Sequence, residues 1–197
     1  MRCVLIVKPI LVVIINFTMN YNKYSKIIEQ NTFLIKEENI LFWHLWCLNY
    51  VFEKIEPNSH DFYTDIKTCY QLLWKFNDDE GLDKSFIITH PSTARLLNLD
   101  EDIFEDFDVF DISERAIMEM IEGLENILSD LSSEKFIRYD VNRHPINVID
   151  VILDNISMEE VNDQEVFLNE ANAQIKLSKK LLEKVVNYTY KDRNIYR

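Results

Sequence analysis

The chain has 197 residues, 47% of them hydrophobic and 12% aromatic, and carries a formal net charge of −13 from 34 acidic against 21 basic residues. That apolar content excludes a largely disordered chain, the length suits one domain rather than two, and the acidic field repels a phosphate backbone, which sets direct nucleic-acid binding aside. With only 2 glycines and 4 prolines, the chain lacks the turn residues of an all-β fold and the glycine-rich loop that cradles phosphates, so composition favours long helices.

Residues 1–18 differ from everything after them: Cys3–Val7 and Ile10–Ile15 are apolar runs separated by Lys8-Pro9. Three readings fit. The segment is an in-frame extension upstream of a native start at Met19, a signal-like or anchoring segment without a small-residue cleavage site, or an edge strand. As a stable membrane span it is too short and is interrupted by Lys8-Pro9.

From Met19 the pattern becomes amphipathic. Tyr21–Phe33 reads as a short lead-in helix with Tyr24, Ile27 and Ile28 on one side. Over Lys36–Ile55 the residues Ile40, Trp43, Trp46, Cys47, Tyr50, Val51 and Ile55 recur at helical spacing, a wide apolar stripe suited to the core. Glu56-Pro57-Asn58 ends it, and Asn58-Ser59-His60-Asp61 offer capping side chains for a second stripe through Phe62, Ile66, Cys69, Tyr70 and Leu73 to Phe76. The connection between the two is short, which predicts an antiparallel hairpin.

Between Asp83 and Asp111 short helices and irregular structure are expected; Phe86-Ile87-Ile88 suits a strand or a helical turn, and Ala94–Leu99 a short helix. A third strong helix begins near Ser113, where Asp111-x-x-Glu114 has the form of a capping box, and runs through Ala116, Met120, Leu124, Ile127, Leu128 and Leu131 with Gly123 inside it. Pro145 opens a fourth, with Ile146, Ile149, Ile152, Leu153 and Ile156 as its buried face. Ser157-x-x-Glu160 introduces a last helix over Met158–Tyr190, with Leu168, Ala171, Ile175, Leu182 and Val185 facing the core. The expected fold is all-α: an irregular bundle of about five to seven helices forming one domain over 19–197.

The densest charge feature places seven carboxylates between Asp100 and Asp111 among Phe104, Phe107 and Phe110. Asp100, Glu101, Asp102, Glu105, Asp106 and Asp108 make it the best candidate surface for a basic protein partner, and the phenylalanines serve either as anchors to the chain's own core or as contact hot spots. Phe42 is added to this surface, because Trp43 and Trp46 share one face of their helix and leave Phe42 outside. An EF-hand is excluded, since its glycine and glutamate positions hold Glu105 and Asp111. His44 and Cys47 lie three apart with nothing to complete a zinc site, and His60, His90 and His144 are scattered, so no metal or other cofactor is expected. No nucleophile elbow or cysteine-protease context appears, and the carboxylates are too numerous for any pair to be diagnostic, so a catalytic role is not expected. The odd cysteine count, 3 without framework spacing, suits reduced thiols in the cytoplasm.

The order Phe42-Trp43-His44-Leu45-Trp46-Cys47, then Lys54-Ile55-Glu56-Pro57-Asn58, then Tyr70-Gln71-Leu72-Leu73-Trp74-Lys75-Phe76, with Asp106-Phe107-Asp108 before a long helix, resembles the YjaG-like all-helical bacterial family and the helical immunity proteins of polymorphic toxin systems. The likeness spans residues 37 to 156. Here Pro57-Asn58 takes the place of the family's turn and Leu73-Trp74 that of its Leu-Trp pair, whereas the acidic residue at the end of the first helix is only loosely matched by Glu53 or Glu56. The resemblance implies an immunity protein that neutralises a cognate toxin, many of which are basic nucleases, by protein–protein contact. The alternatives are an accessory or regulatory helical interaction domain and a metal-dependent enzyme built from dispersed carboxylates.

Overall fold

The structure is a computed structural model and describes residues 19–99, 104–105, 107–108, 111–133, 143–152 and 164–197. Among these it holds no strand and eight α-helices: α1 (Tyr21–Phe33), α2 (Ile40–Phe52), α3 (Tyr63–Asn77), α4 (Lys84–Thr89), α5 (Pro91–Leu96), α6 (Ile112–Ser132), α7 (Arg143–Ile152) and α8 (Glu165–Glu183). The all-α bundle expected from the sequence is the one that forms. The apolar residues 1–18 and the Ser157-x-x-Glu160 pattern lie outside the described residues.

α2 is the axis of the bundle. Every residue from Ile40 to Asn49 is buried, so its apolar character runs round the whole helix, as burial on all sides requires. α6, α7 and α3 pack against it, and α1 lies along α8. Phe42 near the start of α2 meets Trp74 near the end of α3 at 5.9 Å between ring centroids, while Phe52 at the other end stacks on Tyr63 at 6.2 Å. Those pairs fix the two helices as an antiparallel hairpin. Gly123 lets α6 approach closely: a Cβ there would collide with Leu48 Cδ2 and lie 3.3 Å from His144 Cε1.

The stretch after Asp83 resolves into two six-residue helices, α4 and α5, so Phe86-Ile87-Ile88 is helical. His90 separates them because a residue before proline is pushed out of the α region; its ψ is 138°, and its Nδ1 accepts from Ser92 N at 3.2 Å to cap α5. Arg95 on α5 pairs with the buried Asp65 on α3.

Several local expectations need correction. Of the four side chains expected to cap α3, His60 Nδ1 accepts from Phe62 N at 3.4 Å, while Phe62 at the cap position makes no side-chain cap bond; Ser59 Oγ lies 3.4 Å from Ser113 Oγ, which also accepts from Glu56 N at 2.8 Å and ties the hairpin turn to α6. Asp111 does cap α6, accepting from Ser113 N and Glu114 N at 2.8 and 3.0 Å, but Glu114 Oε2 accepts from Asp108 N at 2.5 Å, so the box is not reciprocal. On α7 the buried residues are His144, Pro145, Asn147, Val148, Ile149 and Val151, with Ile146 and Ile152 only half-buried.

The last helix stops at Glu183 rather than Tyr190, and Val185 is exposed. Asn39 competes for its end: Nδ2 donates to Leu181 O at 2.7 Å and Lys184 O at 2.8 Å, while Oδ1 accepts from Val186 N at 3.0 Å. Lys36 N also donates to Leu181 O. Val186 N thus finds its acceptor outside the helix, and residues 184–197 continue as a strap across the α2–α3 hairpin.

Candidate functional site

Within the acidic segment, Phe104 and Phe107 are the described aromatic residues, and both pack on the bundle. Phe104 and Phe107 are half-buried against the core and meet edge to face at 5.4 Å, and Phe107 lies 4.9 Å from the His60 ring in the hairpin turn. Glu105 and Asp108 are exposed between and beside them. Of the two roles open to the phenylalanines, those described here act as inward anchors. Asp100, Glu101, Asp102 and Asp106, named from the sequence for the same surface, lie outside the described residues.

Phe42 does not belong to that surface. It is 2% exposed, with Trp74 on one side and Tyr188 of the strap at 5.1 Å. The expectation of an outward Phe42 considered only the faces of α2, and a helix buried all round has no outward face.

The strap carries most of the polar chemistry that sequence reasoning missed. Asn77 Nδ2 donates to Tyr188 O at 3.0 Å, Asp78 accepts from Tyr190 N at 3.1 Å, and Trp46 Nε1 donates to Ile195 O at 3.1 Å. Asn49 Nδ2 donates to Asn194 Oδ1 at 2.8 Å while its Oδ1 accepts from Tyr70. Arg197 ends this run in a buried socket. Its Nε and Nη2 each donate to a Glu170 oxygen at 2.9 Å, Nη1 donates to Trp46 O at 2.8 Å, and the guanidinium lies 3.5 Å over the Trp46 ring.

Glu170 extends the network inward. Gln174 Nε2 donates to Glu170 at 3.1 Å and to Pro145 O at 3.3 Å, and Tyr24 donates to Gln174 Oε1 at 2.5 Å. Burial, with the Glu170 carboxylate adding to it, pushes the Tyr24 hydroxyl well above its ordinary pKa, so it stays a donor. Four helices and the strap thereby meet on one chain of hydrogen bonds. Its sequence signal was available: Glu170, Gln174 and Ser178 fall in phase with Phe167, Ala171 and Leu181 on α8, and a polar residue inside an apolar stripe requires a partner.

Beside this network a concavity of about 500 Å³ is lined by Tyr50, Asn169, Asn172, Lys176, Tyr196 and Arg197, among others. Its cations are occupied within the fold, Arg197 by Glu170 and Lys176 by the Tyr196 ring at 4.6 Å.

His44, Cys47 and Cys69 are buried. His44 meets His144 ring to ring at 4.2 Å, and burial, followed by the nearby His144, holds its pKa well below 6.5. Burial raises both thiols, Cys69 to about 11, which leaves them protonated and unreactive at neutral pH. Among the described residues no three His, Cys, Asp or Glu side chains converge as metal ligands, and no helix is long and apolar enough to cross a membrane.

No family model, no curated protein and no solved structure matches the chain.

Proposed function

We propose that this chain is an immunity-type inhibitor, a helical protein that neutralises a basic toxin domain by docking the acidic surface around Glu105 and Asp108 on it. The observation that carries the reading is the division of labour in that segment. Phe104 and Phe107 are turned into the bundle, so the exposed Glu105 and Asp108 are presented on an anchored backbone. Asp108 N is further held by Glu114, and the Asp111 cap fixes the entry to α6. Less ordering entropy is then lost on binding. The net charge of −13 supplies long-range attraction to a basic surface.

Protein contact accounts for the whole activity in this reading, with no turnover and no cofactor. Co-expression with the product of the gene immediately upstream tests it. A one-to-one complex that weakens as salt rises, with rescue of growth, is the expected result; neither complex nor rescue would overturn it.

A further inference from the structure

We propose that the concavity beside Glu170 and Arg197 is a binding site for a small monoanionic ligand, a carboxylate carried on a planar aromatic ring. This site is separate from the acidic segment, and the inference does not rest on the toxin reading.

Much of the lining is the outer face of α8. Val166, Asn169, Asn172 and Lys176 are exposed and recur three or four positions apart, which sets them in a row along one side of the helix. Ala173 in the same lining is buried and extends only a methyl group. The rest comes from Tyr50 near the end of α2 and from Tyr196 and Arg197 of the strap. A volume of about 500 Å³ with both apolar and polar walls is that of a small-molecule site.

Charge sets the sign of the ligand. The Glu170 oxygens accept from Arg197 Nε and Nη2 and from Gln174 Nε2, so this carboxylate cancels Arg197 and offers nothing to a cation. Among the described residues no carboxylate pairs with Lys176. The Tyr196 ring at 4.6 Å steadies its ammonium from one side, and an ammonium carries three N–H donors. One uncompensated cation suits a monoanion. A second negative charge would meet Glu170 and the field of a chain with net charge −13.

Spacing and rings set the rest. Asn172 and Lys176 lie one helical turn apart, so an amide N–H and the ammonium can each reach one oxygen of a single carboxylate. Among the described residues neither the Asn169 nor the Asn172 amide side chain is hydrogen-bonded within the fold. Tyr50 and Tyr196 supply rings against which an aromatic ring packs face or edge. Burial, followed by Glu170, raises the Tyr50 hydroxyl above its ordinary pKa, which keeps that wall neutral.

The test uses naphthoate and its uncharged counterpart naphthamide, titrated into the isotope-labelled full chain and followed by NMR at the Asn169 side-chain amide. Naphthoate should bind saturably, at least about fivefold more tightly than naphthamide. Lys176→Gln should remove that preference and Lys176→Arg retain it. Asn172→Trp, which fills the cavity, should abolish binding of both probes. These substitutions lie on the exposed face of α8, so the circular dichroism spectrum should not change. Equal affinity for the two probes, a preference that survives Lys176→Gln, or binding that survives Asn172→Trp would overturn the site. So would failure of naphthoate to saturate at millimolar concentration.

Discussion

The described residues of the acidic segment, Phe104, Glu105, Phe107 and Asp108, and the strap of residues 184–197 both lie outside the α-helices, yet they are held by opposite chemistry. In the acidic segment Phe104 and Phe107 pack their rings on the core, and Glu105 and Asp108 are exposed. The strap is anchored by rings and by polar groups alike, its backbone bonded to Asn39, Asn77, Asp78 and Trp46 and its last guanidinium to Glu170. Charge left at a surface is available to a partner at little cost to the fold. Charge taken into a socket belongs to the fold, because removing one member strands the other away from water. A substitution at each place therefore reports on a different property.

The sharpest break is Glu170→Ala. The Arg197 side chain is only 12% exposed, and loss of its carboxylate leaves a buried cation, so urea unfolding should show a destabilisation of about 3–5 kcal/mol. A loss of under about 1 kcal/mol would mean that the pair does not anchor the strap.

Asn39→Ala comes next. It removes two donations to carbonyls at the end of α8 and the acceptor of Val186 N. A destabilisation of about 1–3 kcal/mol is expected, with faster amide exchange at Val186. Unchanged exchange there would show that the helix end is set by something else.

A pH titration addresses the core beneath both regions. Burial depresses the folded pKa of His44 below its ordinary 6.5. The unfolded chain then binds the extra proton first, so this contribution to stability is complete above pH 6.5 and declines below it, by up to about 1.4 kcal/mol per pH unit. His44→Leu should flatten that part of the stability profile. An unaltered slope in the variant would assign it to other groups.

The smallest effect on stability belongs to the acidic segment. Reversing the exposed carboxylate of Glu105, as Glu105→Lys, should shift the unfolding free energy by no more than about 0.5 kcal/mol while weakening salt-sensitive capture of a basic partner. A large loss of stability would contradict the contrast between the two regions.

Much of the helical layout was legible along the chain. Tyr21–Phe33 is a helix at the bounds its pattern gives, Asp111 caps α6, and Ile149, Ala171 and Ile175 are buried where periodicity places them. Periodicity failed where its assumption of one wet face failed. Periodicity places Phe42 outward by giving α2 two sides, and Val185 inward because nothing in the local pattern of α8 announces the competition from Asn39. The candidate acidic site was legible as composition, though which of its residues turn inward required the contact between Phe107 and His60. The His44–His144 pair was legible only as two separated histidines.

By itself the sequence determined the fold class, the hairpin and the acidic character, since each follows from short-range periodicity, turn chemistry and summed charge. Only the tertiary structure decided where α8 ends, what covers the aromatic hairpin and which charges are buried. Those outcomes depend on groups about 140 to 150 positions apart, such as Asn39 with Leu181 and Trp46 with Arg197. No local pattern encodes such a pairing, because the competing hydrogen-bond partner exists only once the helices have packed.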